Sequence, residues 1–301
     1  MVCQKAPPEI IIQSESAVEN TNINEIGATA FIIAGIRALE ETRENPMFSD
    51  PYAKLFLNPE LRETARQLTQ VHFAVGDAIR LRTLAFNVIV ESGIRRGVRQ
   101  IVTLGSGFDM RHRIFAKDDV RFFDVDQPAV LDFKASVLAN ADILGCTAIR
   151  CNYLQADLAK ELISAGLEPA AETLIIWEGN TMYLPGELIM SFLNRLCESL
   201  SRFRIGFDYF PQSVLDGTYE SEEAMEIVRD VQKVMNVTFM TGFDSLQSFE
   251  TEAPFRIIET GNVIEIGTRL GGPGTDEKIG ETAMVTKELA GCYRIALLER
   301  G

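Results

Sequence analysis

The sequence predicts a doubly wound α/β fold, with a mostly parallel sheet and a helical N-terminal cap, and three observations carry that expectation. From about residue 98 onward, short apolar stretches rich in β-branched residues alternate with helical ones, the pattern of βαβ units around a parallel sheet. The first hundred residues lack that alternation and instead repeat apolar residues at three- and four-residue steps. Between the two zones, "IVTLGSGFDMRHRIF" (Ile101–Phe115) starts as an apolar strand and breaks at Gly105-Ser106-Gly107. Glycines there permit positive φ and remove the Cβ that would hold a ligand away.

Each element has its own local reason. "IGATAFIIAGIRALEETREN" reads as an amphipathic helix with a charged end before Pro46, and "LRETARQLTQVHFAVGDAIRLRTLAFNVIVESGIRRG" as a second long helical zone. A break is expected in it near Gly76, and its end around Gly93 to Gly97. Strands are expected at Gln100–Leu104, Val120–Val125, Thr147–Cys151, Thr173–Trp177 and Phe203–Tyr209, with helices near Gln127–Ala141, Leu158–Gly166 and Gly186–Ser201 between them. A polar helical insert over Tyr219–Asn236 follows the fifth strand. Then come "FRIIETGNVIEIG", a glycine-rich turn "GGPGTDEK" and a last strand "YRIALLER". The expected organisation is one compact unit: a cap over residues 1–97 and a core over 98–301, with an insert near 216–252.

Composition bounds the partners. A chain of 301 residues can bury a sizeable core, and 46% apolar with 24% charged residues is ordinary for a globular protein. With 29 basic against 43 acidic residues the net charge is −14, which disfavours nucleic acid or an anionic membrane as partner. The first twenty residues hold one lysine and a three-residue apolar run and do not read as a signal peptide, and no apolar stretch approaches the roughly 18 residues of a membrane span. Five cysteines, without a Cys-x-x-Cys pair, read as reduced thiols of a cytoplasmic protein. The two histidines, His72 and His112, lack metal-ligand spacing, so no metal site is expected.

In an open α/β sheet, ligands bind beyond the carboxyl ends of the strands at the switch point, which is where the Gly105–Gly107 turn stands. A dinucleotide fingerprint would need a third glycine at position 110, which is Met110. That weakens a nicotinamide oxidoreductase without excluding it, whereas a P-loop is excluded because no Gly-Lys-Ser/Thr follows. "RFFDVDQPAVLDFK" puts Asp124 and Asp126 at the end of the next strand, 19 and 21 residues after Gly105, where an acid can accept both hydrogens of a ribose diol. Asp126 can equally cap the following helix, with Pro128 in its first turn, and the two acids are read as facing opposite sides. Asp157 in "RCNYLQADLAKEL" suits an adenine amine or a plain N-cap. Glycine turn, acid and Asp-Leu together describe a nucleoside lying along three strand ends with no phosphate-binding element. The simplest such cofactor is S-adenosylmethionine.

At these residues the sequence resembles the leucine carboxyl methyltransferase family. "TAFIIAGIRALEETRENPMFSDPYAKLFL", "LRTLAF", "VTLGSGFDMRHRIF", "FFDVDQPAVLDFK", "DL" and "WEGNTMYLP" are similar to six motifs of that family, in order, over Thr29–Pro185; from Asp216 to about Gly274 little matches. The resemblance implies a class I methyltransferase (Rossmann-like) fold and S-adenosylmethionine as cofactor. It assigns Arg82 to the methionyl carboxylate, Gly105 and Gly107 to close backbone approach, Asp126 or else Asp124 to the ribose, and Asp157 with Leu158 to the adenine. Glu178 falls near the methionyl ammonium and the substrate entrance. Arg37 is implied as a substrate contact from the cap, with a solvated helix face as the alternative. The family usually has Thr where this chain has Met110, and often Arg where it has Leu84. The second departure leaves Arg82 as the single guanidinium of its motif.

The chemistry follows from charge. A carboxylate acceptor is already ionised at pH 7 and needs no general base, in keeping with the absence of any clear catalytic dyad. The expectation is an O-methyltransferase acting on the carboxylate of a small molecule, a natural product among the options. The alternatives are a hydroxyl group of a natural product and a protein C-terminal carboxylate. A hydroxyl would require a base, for which His72, Glu178 and Asp208 are the candidates. Tyr183 could line the acceptor pocket or simply be half-buried packing. Asp109 and Arg111 are expected to pair and fix the glycine loop, and His112 to pack.

Overall fold

The computed structural model describes residues 27–272 and 274–300, with the side chains of 281–287 outside it, so the first twenty residues and Cys3 lie outside the described residues. Helix α1 (Ala28–Glu40) begins the described chain, followed by α2 (Pro59–Val71) and α3 (Phe73–Arg95). Then β1 (Gln100–Leu104), a short α4 (Arg111–Ile114), β2 (Arg121–Asp126), α5 (Pro128–Asn140), β3 (Thr147–Arg150), α6 (Leu158–Ser164), β4 (Thr173–Trp177), α7 (Gly186–Ser199) and β5 (Phe203–Tyr209) alternate. The tail runs through α8 (Gln212–Asp216), α9 (Glu222–Met235), α10 (Gln247–Thr251), β6 (Phe255–Asn262), α11 (Val263–Leu270), α12 (Thr275–Cys292) and β7 (Arg294–Arg300).

The seven strands form one sheet in the order β3-β2-β1-β4-β5-β7-β6. Strands β1 to β5 pair in parallel, and β7 inserts antiparallel between β5 and β6. Every residue of β1 and β4 is buried, as expected of central strands covered on both faces. The order reverses between β1 and β4, so the turn after β1 lies at the switch point.

The second helical zone breaks at His72, not at Gly76. His72 has φ −121° and ψ 61°, ends α2 and starts α3. Gly76 lies inside α3 for a packing reason: a Cβ there would meet Thr69 Cγ2 at 2.9 Å, so the glycine lets the two helices come close. Most of α3 is buried, and Gly93 near its end packs on Leu174 of β4. The helix is therefore a layer of the core as well as part of the cover. The glycine-rich segment after α11 is shorter than its composition suggests, because α12 already starts at Thr275. Among the described residues no helix is long and apolar enough to cross a membrane.

Candidate active site

The turn after β1 is shaped by two positive-φ glycines, Gly105 (φ +59°) and Gly107 (φ +48°). At Gly105 a Cβ would run into the side-chain amide of Asn180; at Gly107 it would meet nothing within 4 Å. The first glycine thus serves contact with the post-β4 loop, and the second leaves open space above the turn. That space is a cavity of about 280 Å³ walled by the turn itself, Asp126 at the end of β2, Glu178–Asn180 after β4, Arg82 of α3, Tyr183, and Thr29, Ile33 and Arg37 of α1.

Asp126 accepts hydrogen bonds from Gly107 N and Gln127 N, both at 2.7 Å, so its carboxylate stands against the glycine turn. Burial pushes its pKa above the ordinary range, and the two backbone amides oppose that shift. Asp124 and Asp126, two residues apart, belong to one side of β2, so the expectation of opposite faces fails on the strand's period of two. Their partners separate them instead. Asp124 is buried and bound to Lys134 Nζ at 2.6 Å, an ammonium that also donates to the Asp109 carbonyl, and it does not line the cavity. Of the two acids only Asp126 lines the cavity. It is not the cap of α5 either: Gln127 holds that position, with Pro128 in the first turn as expected.

Glu178 lies between two guanidiniums. Arg82 Nε donates to its Oε1 at 2.9 Å, and Arg111 Nη2 is 2.7 Å from its Oε2. Burial alone would raise its pKa, but Arg111 and then Arg82 hold it below the ordinary carboxylate range. Asp109 pairs with Arg111 Nη1, accepts Arg111 N at 2.7 Å, and is likewise held low by Arg111 against its own burial. The expected Asp109–Arg111 pair is therefore present, and Arg111 does more: it brings a second guanidinium to Glu178, while Leu84 is buried in the core. Arg82 continues the network inward. Its Nη1 donates to Tyr293 Oη at 2.9 Å, and Tyr293 in turn donates to Asp208 Oδ2, whose other oxygen accepts Gly179 N at 2.6 Å.

Other expected residues fall elsewhere. Arg37 reaches the cavity wall but is bound by Asp50 (Nε to Oδ2, 2.7 Å) and donates to the Phe108 carbonyl at 3.1 Å, so it is neither a solvated face nor an unpaired cation. Tyr183, half-buried, lines the cavity. His72 does not line this cavity. Asp157 caps α6 through Lys160 N at 3.2 Å, and with Leu158 it lines a separate cleft against α7. Neither residue lines the cavity over the glycine turn.

Sequence reasoning missed Asn180, Tyr293 and Ser106. Asn180 supports the turn by donating to the Leu104 carbonyl at 3.3 Å and the Glu178 carbonyl at 2.7 Å; it stood in "WEGNTMYLP" and was legible there. Tyr293 is 211 residues from Arg82, and no local pattern announces it. Sequence reasoning also missed a cluster: ligand atoms of His112, Asp124 and Cys146 lie within 4.8 Å of one another. Lys134 already supplies a cation to Asp124, and burial drives the Cys146 thiol far above its usual range, so the chemistry of the group opposes a metal ion. His112 is buried beside them with its pKa lowered by burial.

The residues around the glycine turn fit a sulfonium nucleoside. Ser106 Oγ, buried at the cavity wall, has no hydrogen-bond partner among the described residues. An acid faces the turn where a ribose would lie, and Glu178 with Arg82 offers opposite charges to an amino-acid end. A model of the leucine carboxyl methyltransferase family matches residues 30–197. A "putative S-adenosyl-L-methionine-dependent methyltransferase" of Streptomyces coelicolor is 36% identical over 64% of this chain and 71% of its own length. Another of the same description, from Streptomyces avermitilis, is 33% identical over 66% of this chain and 74% of its own. Among solved structures, a DUF574 family protein from Streptomyces avermitilis superposes with a TM-score of 0.60 at 15% identity, covering 93% of this chain and 99% of that one. A "putative methyltransferase" from Thermobifida fusca gives 0.57 at 12%, covering 90% and 94%. At those identities the structures speak for the fold alone.

Proposed function

We propose a carboxylate acceptor for this chain, which belongs to the leucine carboxyl methyltransferase family and is an S-adenosylmethionine-dependent methyltransferase. When bound, the cofactor supplies a methyl group on a positively charged sulfur. Four residues lining the cavity would hold it: Arg82 would face its carboxylate, Glu178 its ammonium and Asp126 its ribose, and Gly107 would let the backbone come close. α1 covers one side of the cavity through Thr29, Ile33 and Arg37.

The observation that supports a carboxylate is the state of the acids around the cavity. Glu178 is paired with Arg111 and Arg82, which hold it ionised below the ordinary carboxylate range and so make it a weak base. Asp208 is fully buried off the cavity, with its oxygens on Gly179 N and Tyr293. His72 is elsewhere, and burial raises the Tyr183 pKa. Removing a proton from a hydroxyl acceptor would draw on one of these committed groups. An acceptor already ionised at pH 7 draws on none. The −14 net charge favours a small acid over an acidic protein tail.

The test is to incubate the protein with methyl-labelled S-adenosylmethionine and a panel of small carboxylic acids and phenols. Label that enters the acids and is released as methanol by mild alkali is the expected result. Alkali-stable label on the phenols would contradict it.

A further inference from the structure

The turn after β1 and the loops after β3 and β4 meet at one side-chain amide, that of Asn180. Its Nδ2 donates to the Leu104 carbonyl at 3.3 Å and to the Glu178 carbonyl at 2.7 Å, and its Oδ1 accepts the Tyr153 hydroxyl at 3.3 Å. The amide forms part of the cavity wall and lies against Gly105. Tyr153, in the loop after β3, is buried and does not line the cavity.

The direction of these bonds is fixed from the core outward. Trp177, fully buried at the end of β4, has an indole N–H that can only donate, and it donates to Tyr153 Oη at 3.0 Å. The Tyr153 hydroxyl has a single proton of its own, which goes on to Asn180 Oδ1. The amide is thereby turned with its NH2 group toward the two carbonyls. The shorter of those bonds, to Glu178, closes a tight turn over Gly179, whose φ is +69°. A side chain at Gly179 would crowd Arg82, since a Cβ there would stand 3.0 Å from Nη1. Asn180 thus holds the backbone of Glu178, while Arg111 and Arg82 hold its carboxylate.

We propose that Asn180 is a positioning residue for the amino-acid end of the cofactor, itself set in place by the Trp177–Tyr153 relay. It acts through Glu178, and Tyr153 acts through Asn180. A binding group has to be held within about 0.5 Å of its productive place by the residues behind it, and a charge-assisted hydrogen bond to an ammonium is short enough to feel a smaller error. The inference rests on the reading of Glu178 and Arg82 given above and is independent of the acceptor.

The test is calorimetric titration of S-adenosylhomocysteine and of 5′-methylthioadenosine, a thionucleoside without the amino-acid end, into the full-length wild type, Asn180→Leu and Tyr153→Phe. The wild type should bind S-adenosylhomocysteine the more tightly of the two. Asn180→Leu keeps the size of the side chain and removes its hydrogen bonds. It should lose about ten-fold in affinity for S-adenosylhomocysteine and less than about three-fold for 5′-methylthioadenosine, the scale of one or two hydrogen bonds felt at one end of the ligand. Tyr153→Phe keeps the amide and removes only the hydroxyl behind it, so a smaller loss should fall on the same ligand. Equal losses for both ligands, the mark of general damage to the fold, would overturn the proposal, as would unchanged discrimination in both variants. If Asn180→Leu does not fold, Tyr153→Phe decides by the same comparison. A wild type that binds the two ligands equally would overturn the placing of Glu178 and Arg82 at the amino-acid end, and the proposal with it; a wild type that discriminates, with variants that discriminate as well, would overturn the proposal alone.

Discussion

Arg111 Nη2 lies 2.7 Å from Glu178 Oε2, which joins the helix after the glycine turn to the loop after β4. Because Arg82 holds the other oxygen, one carboxylate ties α3, the β1 turn and the β4 loop together at the floor of the cofactor cavity. The glycine turn and the loop after β4 are thus held by one ionic network.

Glu178→Gln removes the charge between two buried guanidiniums. Breaking a buried ion pair by removing one partner costs about 3–5 kcal/mol. The variant should lose stability on that scale in urea unfolding and should also lose S-adenosylhomocysteine affinity. A stability within about 0.5 kcal/mol of the wild type, the range of an ordinary surface substitution, would contradict the network.

Tyr293→Phe deletes the hydroxyl that links Arg82 to the fully buried Asp208. Leaving a buried acceptor short of a partner costs about 1–3 kcal/mol. Thermal denaturation should show that loss. A double-mutant cycle with Arg82→Ala should give a non-zero coupling, because the two side chains touch; strict additivity would contradict the contact.

The two glycines of the turn should respond differently to alanine. Both substitutions carry the left-handed cost of about 1–2 kcal/mol. Gly105→Ala must also displace the Asn180 side chain, which stands where the new Cβ would go, while Gly107→Ala meets nothing within 4 Å. Gly105→Ala should therefore be the less stable protein by chemical denaturation, and Gly105→Ala with Asn180→Ala should recover part of the difference. Equal stabilities for the two single variants would count against the geometry.

Acid should separate binding from folding. Burial raises the Asp126 pKa, so protonation begins above the ordinary carboxylate range near 4, and cofactor affinity should fall as pH drops through it. Glu178 and Asp109 have folded pKa values below their unfolded ones: burial would raise both, but Arg111 with Arg82 at Glu178, and Arg111 with Arg37 and Lys134 at Asp109, together outweigh it. Their contribution to stability is full above the unfolded values near 4 and is lost as pH falls through the lowered folded ones. Calorimetry and circular dichroism from pH 7 to pH 3 should thus show affinity lost at a higher pH than structure. Simultaneous loss would contradict the assignment.

Much of the fold was legible because the central strands have no solvent face. β1, β4 and β5 begin and end where their apolar runs do, at Gln100–Leu104, Thr173–Trp177 and Phe203–Tyr209. Signals with two physical meanings were less readable. Gly76 looks like a helix break but serves close packing on Thr69, and "GNVIEIG" changes from strand to helix at Asn262 through a capping box with Glu265. Arg82, Gly105, Gly107, Asp126, Glu178 and Tyr183, all drawn from the motif segments, line one cavity. The partners that tune them were hidden by distance along the chain: Arg111 reaches Glu178 from the far side of β2, β3 and β4, and Tyr293 reaches Arg82 only once β7 has paired with β5.

The most direct test of the site is calorimetric titration of S-adenosylhomocysteine into the wild type and Arg82→Ala. A guanidinium that binds the amino-acid end through charge-assisted hydrogen bonds is worth about 1.5–3 kcal/mol, or roughly a ten- to hundred-fold loss of affinity in the variant. Heat of binding in the wild type with that loss is the predicted result. Equal affinities in the two proteins, or no heat in the wild type, would contradict it.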